Sequence, residues 1–395
     1  VSGKKLPWGI LTGIRPTKIA YELLEKGITK EAIRSNMREE YLCSEEKTEM
    51  SIRIAGRERK LLQEMDYQKG YSLYIGIPFC PSTCLYCSFP SYSIERFGSY
   101  TEDYLRALEK EIIYASGCFP GRKLTTVYFG GGTPPVLGVG ALISVLEAIK
   151  AGFRLSDDCE ITLEANPESV SLPDLKDYRN AGFNRISMGM QSSNDRELAI
   201  LGRRYDLSRY KSAVRAVIDA GFENRSTDII FGIPEQTIES LEKSVMTAVD
   251  SGTPHISAYS LSIEKNTPFY NNRDTLILPD EDTEEEMYYL LCDILKKHDY
   301  SHYEISSFAR EGFQSRHNLH YWDCGEYIGF GTAAHSYCKG KRFSNIADVN
   351  EYISLSTGDY FSPTDFHVQR YLSDTDKREE AIMLGLRTDR GIRDA

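Results

Sequence analysis

From residue 71 onward, short runs rich in β-branched and aromatic residues alternate with amphipathic stretches of helical period. The β-rich runs are 72–77, 125–129, 160–164, 185–189, 227–231 and 255–259, each followed by a turn signal. Between them, 102–114, 138–149, 172–181, 207–220 and 238–251 repeat their apolar positions three and four residues apart, as one face of a helix requires. In 207–220, for example, Tyr210, Ala213, Val214, Val217 and Ile218 fall on one stripe. Six such βα units predict an α/β fold with a parallel sheet and helices outside it, as a partial (β/α)6 barrel. Residues 1–70 read as a helical lead-in. One helix runs from about Thr17 to Lys26, where Gly27 stops it, and a second, charge-rich one covers 48–65. After Pro268 the pattern is less regular: a helix within 279–299, a strand at 303–306 and a glycine-punctuated stretch at 328–335. The chain thus divides into 1–70, a barrel with its extension at 71–348, and a mainly helical segment at 349–395 that begins a further domain.

Composition adds constraints. A chain of 395 residues with 41% hydrophobic content can bury a large core. The net charge of −11 speaks against general binding of nucleic acid or anionic membrane. No run of about 18 apolar residues predicts a transmembrane helix, and no signal-peptide pattern opens the chain. The start at Val1 and the apolar helical pattern at 378–386 make both ends read as cuts. Of nine cysteines, Cys43, Cys118, Cys159, Cys292, Cys324 and Cys338 are scattered singly, which predicts a reducing, cytoplasmic setting and no disulfide framework.

The other three, Cys80, Cys84 and Cys87, stand at C-x3-C-x2-C spacing in a loop that follows the first strand. A loop that short can point three thiolates at one small object. Three thiolates leave one corner of a [4Fe-4S] cubane without a protein ligand, so a small molecule can bind there. A structural zinc site asks for four ligands, usually from paired C-x2-C units, and Cys118, 31 residues on, has no paired partner. Chemistry in barrels of this kind sits at the C-terminal strand ends. There the sequence places Gly130-Gly131-Gly132-Thr133-Pro134, Glu164-Ala165-Asn166-Pro167, Gln191, Asp228, Ser260 and Ser262.

The cysteine spacing resembles the cluster loop of the radical S-adenosylmethionine (SAM) superfamily. The chain as a whole resembles the oxygen-independent coproporphyrinogen III oxidase family within it. Residues 1–95, with Pro7-Trp8-Gly9-Ile10 and Pro78-Phe79-Cys80, are similar to the HemZ coproporphyrinogen dehydrogenase group. From about residue 96 the barrel is similar to the HemW haem chaperone group, through Ser187-Met188-Gly189-Met190-Gln191 and His317-Asn318-Leu319-His320-Tyr321-Trp322. The resemblance implies a [4Fe-4S] cluster on Cys80, Cys84 and Cys87. It also implies SAM contacts from Tyr74, Gly131, Gly132, Thr133, Glu164, Gln191, Arg203 and Asp228, with Tyr86 beside the adenine. Phe89 stands where the HemN-type decarboxylases carry a fourth cysteine, a position the HemZ group also leaves without one. His335 falls on a second-SAM contact of those decarboxylases and replaces an apolar side chain.

Two functions follow from the resemblance. The first expectation is oxidative decarboxylation of coproporphyrinogen III to protoporphyrinogen IX through a 5'-deoxyadenosyl radical, with flavodoxin or ferredoxin as reductant. An anionic tetracarboxylate then needs a local basic pocket, for which Arg203, Arg204 and Arg225 are the candidates. The alternative is a chaperone that binds haem and delivers it. Neutral imidazole commonly ligates haem iron, and loop histidines also commonly bond backbone groups, so both readings of His317 and His320 stay open.

Overall fold

The computed structural model describes residues 8–9, 17–25, 27–64, 70–116, 122–356 and 367–392. Three helices lead in: α1 (Lys18–Glu25), α2 (Lys30–Glu39) and α3 (Glu45–Glu64). They share a small core of their own around Ala20, Ile33, Met37 and Ile52. The segment with Pro7 and 10–16, like Cys118, lies outside the described residues. α2 was not expected from the sequence, because its mean polarity hides the two buried positions, Ile33 and Met37, that seat it.

The barrel wall is six parallel strands paired in chain order: β1 (Gly70–Ile77), β2 (Lys123–Gly131), β3 (Leu155–Ala165), β4 (Arg185–Gln191), β5 (Asn224–Phe231) and β6 (His255–Ser260). The crossovers carry α4 (Thr101–Ser116), α5 (Val139–Gly152), α6 (Leu172–Ala181), α7 (Leu207–Asp219) and α8 (Ile238–Asp250). Each helix start has a local cause. Ser171, Asp206 and Thr237 cap α6, α7 and α8 by accepting the N–H groups of Asp174, Arg209 and Ser240. Gly182, at φ +109°, ends α6 in the left-handed conformation.

Alternation along the strands separates two environments. Leu73, Ile75, Val127, Phe129, Ile161 and Leu163 point outward and are buried under the helices, each such side chain stabilising the fold by about 1.5–3 kcal/mol. The opposite face is polar and aromatic. The register puts Tyr74 beside Tyr128, Gly189 beside Asp228, and Asp228 beside Ser257. A barrel lumen of this kind can bind polar groups, unlike one filled with branched apolar side chains.

Both barrel edges are extended. After α9 (Glu281–Lys297), β8 (Ser307–Ala309) pairs antiparallel with β6, and β7 (Ser301–Glu304) pairs antiparallel with β8 at the outer edge. At the other edge β9 (Tyr327–Phe330) lies parallel to β1, and β10 (His335–Cys338), β11 (Lys341–Asn345) and β12 (His367–Tyr371) follow antiparallel, making twelve strands in one sheet. The short helix α10 (Arg316–Trp322) closes the floor, where the Glu160 carboxylate accepts the backbone N–H groups of Arg316 and His317 at 3.4 and 3.2 Å. The segment expected to open a further domain contributes α11 (Val349–Ser356), β12 and α12 (Asp374–Arg387). Tyr352 of α11 is buried in the main core, and its hydroxyl donates to Glu111 of α4 at 2.6 Å. Beyond α12, Arg390 pairs with Asp323, and Arg387 lies over the Trp322 ring at 4.3 Å, so the tail braces α10 from outside. No helix among the described residues is long and apolar enough to cross a membrane.

Candidate functional site

β1 runs directly into the cysteine loop. Phe79 is fully buried and meets Tyr104 edge-on at 5.3 Å, which anchors the loop at its root. Farther along, Leu85 N–H donates to the Leu201 carbonyl at 3.1 Å and its own carbonyl accepts from Phe269 N–H at 3.0 Å. The loop is thus stitched to the connections after β4 and β6. Cys80, Cys84 and Cys87 are free, half-buried thiols. Burial pushes Cys80 up to about 11 and Cys87 upward as well, so thiolate ligation there releases protons. No three His, Cys, Asp or Glu side chains among the described residues are arranged to hold a single metal ion. A cubane asks for something different, one thiolate at each of three iron corners.

The turn after β2 lies against this loop. Gly132 and Thr133 N–H groups donate to the Ile77 and Phe79 carbonyls, both at 2.7 Å. A Cβ on Gly132 would stand 2.5 Å from the Phe79 oxygen and 2.9 Å from Cys80 Sγ; one on Gly130 would stand 2.9 Å from a Glu164 carboxylate oxygen. Only bare backbone fits so close to both groups.

Around that turn the side chains form two connected sets. In the first, the Thr133 hydroxyl donates to Cys80 Sγ at 3.6 Å and accepts from the Asn166 amide at 3.0 Å. Arg203 donates to Asn166 Oδ1 at 3.0 Å and to the Tyr86 hydroxyl, with its guanidinium over the Tyr86 ring at 5.7 Å. Arg203 Nε is buried with no partner in the protein. In the second set, Glu164 at the end of β3 accepts from the Tyr128 hydroxyl at 2.5 Å and from Gly131 N–H at 3.2 Å. Burial pushes Glu164 up to about 7; the Tyr128 and Gly131 bonds oppose the rise, and the Asp228 carboxylate adds to it. Burial likewise pushes Asp228 up to about 6, against bonds from Ser257 and Ser187 and the fields of Arg185 and Arg203. Tyr74 stacks near Tyr128, with centroids 6.1 Å apart and planes at 17°. Gln191, in a β-bulge at φ +66°, turns its amide back over Gly189 towards Asn166.

Cys80, Thr133, Arg203 and Tyr86 therefore meet in one linked set and Glu164, Gly131 and Tyr74 in the other, with Gln191 turned towards Asn166 and Asp228 acting on Glu164. Tyr128 was not expected. The register names it, because it sits beside Tyr74 on the same face of the sheet. Other expectations fall elsewhere. Arg204 pairs with Glu95 at 3.3 Å, and Arg225 sits at the N-terminal end of β5, donating to the Phe222 and Gly252 carbonyls. With Arg203 turned into the pocket, the three arginines do not converge on a tetracarboxylate. Ser260 and Ser262 bond Glu284 and Glu264 and join neither set. His335 is exposed on β10. His317 and His320 are buried on a helix, not a loop. His317 engages both ring nitrogens, with Thr126 and Tyr321 at 2.7 Å each, and His320 Nε2 meets the Glu326 carbonyl at 2.8 Å.

A partial barrel with a three-cysteine loop after its first strand and a glycine turn after its second is the architecture of radical SAM proteins. The sequence model described as Radical SAM superfamily matches residues 74–248, and proteins of this class use a [4Fe-4S] cluster and SAM. The heme chaperone HemW of Bacillus subtilis is 38% identical over 324 residues, covering 81% of this chain and 84% of that protein. Heme chaperone HemW of Escherichia coli is 36% identical over 267 residues, 67% of this chain and 69% of the other. The chain belongs to the HemW family. The solved structure of coproporphyrinogen III oxidase (HemN) from Escherichia coli superposes with a TM-score of 0.72 over 84% of this chain and 79% of that one, at 22% identity, a likeness of fold.

These relatives overturn the first functional expectation. Decarboxylation of coproporphyrinogen III rested on residues 1–95, whereas relatives matched over two thirds or more of both chains are named heme chaperones. The expected basic pocket is not assembled either, since Arg204 pairs with Glu95 and Arg225 with backbone carbonyls.

Proposed function

We propose that this chain binds haem and hands it to an acceptor protein, as a HemW-type chaperone, with its cluster and SAM held at the barrel mouth. The observation that carries this reading is the 38% identity over 84% of the length of a heme chaperone HemW. In it, Cys80, Cys84 and Cys87 hold the cluster, which when bound supplies an electron to SAM. Glu164 accepts hydrogen bonds from the ribose. Arg203, whose Nε has no partner in the protein, pairs with the SAM carboxylate. The backbone of Gly131, Gly132 and Thr133 approaches the methionyl end, Tyr86 packs beside the adenine, and Tyr74, Gln191 and Asp228 complete the lining. α10 and its tail fill the floor, so haem, as cargo, docks outside the lumen. A small electron-transfer protein such as flavodoxin or ferredoxin reduces the cluster, and the three loop thiols stay reduced in a reducing cytoplasm.

The test is a pair of anaerobic assays on reconstituted protein. Haem titration should give a saturable absorbance band, and the haem should move to an apo-haem protein on mixing. Incubation with SAM, reductant and coproporphyrinogen III should give no vinyl porphyrin. Turnover of coproporphyrinogen III with no haem transfer would refute the proposal.

A further inference from the structure

His317 lies at the floor end of the lumen, yet it reaches the SAM pocket through one side chain. Its ring is held on both sides: Nδ1 and the Thr126 hydroxyl are 2.7 Å apart, as are Nε2 and the Tyr321 hydroxyl. Its backbone N–H is tied to Glu160 at 3.2 Å, and only 1% of the residue is exposed. A ring fixed this firmly has no free nitrogen to offer a metal. Its face is engaged instead. The His317 ring lies 4.8 Å from that of Tyr128 with planes at 24°. The Tyr128 hydroxyl, at the far end of the same ring, donates to Glu164 Oε1 at 2.5 Å. Tyr74 stacks near the ring from the neighbouring strand.

We propose that His317 is a positioning residue of the SAM site: it fixes the Tyr128 ring, and Tyr128 fixes the Glu164 carboxylate for the ribose. The inference rests on the assignment of Glu164 to SAM. It gives the His317–Trp322 motif a role in holding the cofactor pocket, in place of ligating haem iron. Without the stack, the Tyr128 ring gains freedom about its side-chain torsions and its hydroxyl no longer meets Glu164 in one geometry. A pocket displaced by even about 1 Å loses much of its complementarity.

Three variants test this, read by SAM equilibrium binding, iron content, the haem absorbance band and thermal melting. Tyr128→Phe keeps the ring and removes only the hydroxyl; it should weaken SAM about tenfold at unchanged iron content, as loss of one charge-assisted bond implies. His317→Ala should weaken SAM to a similar degree and leave the haem band intact. The double variant His317→Phe with Tyr321→Phe replaces both partners of a buried hydrogen bond by rings; it should recover SAM affinity to within about threefold of wild type. A phenyl ring can stack but cannot ligate iron, so this recovery separates positioning from ligation, and the double variant serves if His317→Ala fails to fold. Folded His317→Ala with wild-type SAM affinity, or a double variant that loses the haem band, would overturn the inference. If Glu164→Ala also bound SAM like wild type, the site assignment itself would fall; if Glu164→Ala alone weakened SAM, only the role of His317 would.

Discussion

Lowering the pH from about 8 to about 6 should weaken SAM binding about tenfold, and Glu164→Gln should remove that dependence. Glu164 is the one carboxylate bonded to both the glycine turn and Tyr128, and burial pushes it up to about 7. One pH unit above that value roughly nine in ten Glu164 side chains are ionised; one unit below, roughly one in ten. A ribose diol donates charge-assisted hydrogen bonds to the ionised form and weaker ones to the acid. If only the carboxylate holds the ribose, the apparent Kd rises about tenfold across the window, which is about 1.4 kcal/mol at about 1.36 kcal/mol per decade. Asp228, pushed up to about 6, titrates inside the same window. As it takes up a proton its repulsion of Glu164 fades, so the transition is broader than that of a single site. Glu164→Gln keeps the size and an acceptor oxygen but carries no charge, and its Kd should match the low-pH value of wild type throughout. The assay is equilibrium dialysis of SAM against anaerobically reconstituted protein, with iron measured on the same samples. Subtracting the slope of the Gln variant removes the titration of the SAM amino group. A wild-type Kd that does not change across the window, or a Gln variant that keeps the full slope, would refute the reasoning.

Cys84→Ala should lose most of the roughly four irons that reconstitution loads, while Cys324→Ala, an exposed thiol before β9 at the other end of the barrel, should keep them; equal iron in both, by colorimetric assay, would break the ligand assignment. Glu111 is 5% exposed and accepts from Gly331 N–H, Asn345 and Tyr352 at 2.9, 2.7 and 2.6 Å. Burial pushes it up to about 7 from an ordinary 4.5, so the native state binds the extra proton and the stability this group contributes is lost as pH rises through that window. The loss is on the order of 3 kcal/mol. Denaturant unfolding at the two ends of the window should show a wild-type slope of that sign that Glu111→Gln lacks; parallel slopes would contradict it.

The barrel was legible because each βα unit is a local pattern. Strands 72–77 and 185–189 were expected and observed as Gly70–Ile77 and Arg185–Gln191. Their boundaries moved because pairing with neighbours recruits flanking residues that have no strand signal of their own. β9 to β12 were not legible for the converse reason. They are four or five residues long, and what makes them strands is the β1 edge, some 250 residues earlier in the chain. Within the site, Cys80, Glu164 and Gly132 could be read from motif and position. Tyr128 could have been found only by laying strands side by side in register, whereas Arg203 was named by resemblance alone and the packing of its loop on Leu85 gives it a physical reason.

The two halves of the earlier ambiguity meet at different depths of one lumen. The cysteine loop and glycine turn occupy one end, where Tyr74, Tyr128, Glu164 and Asp228 are half-buried. The segment that resembles the chaperone group occupies the closed end, where His317 and His320 are shut in by Glu160, Tyr321 and Glu326. Opening that end would separate the buried Arg390–Asp323 pair and lift Arg387 off the Trp322 ring. On the proposed chaperone reading haem therefore reaches the outer surface, and the floor motif acts on it only through the pocket it holds in shape. On this view the cofactor site and the carriage of haem are coupled through the Tyr128 ring, and a change at the floor is felt first as a change in SAM binding.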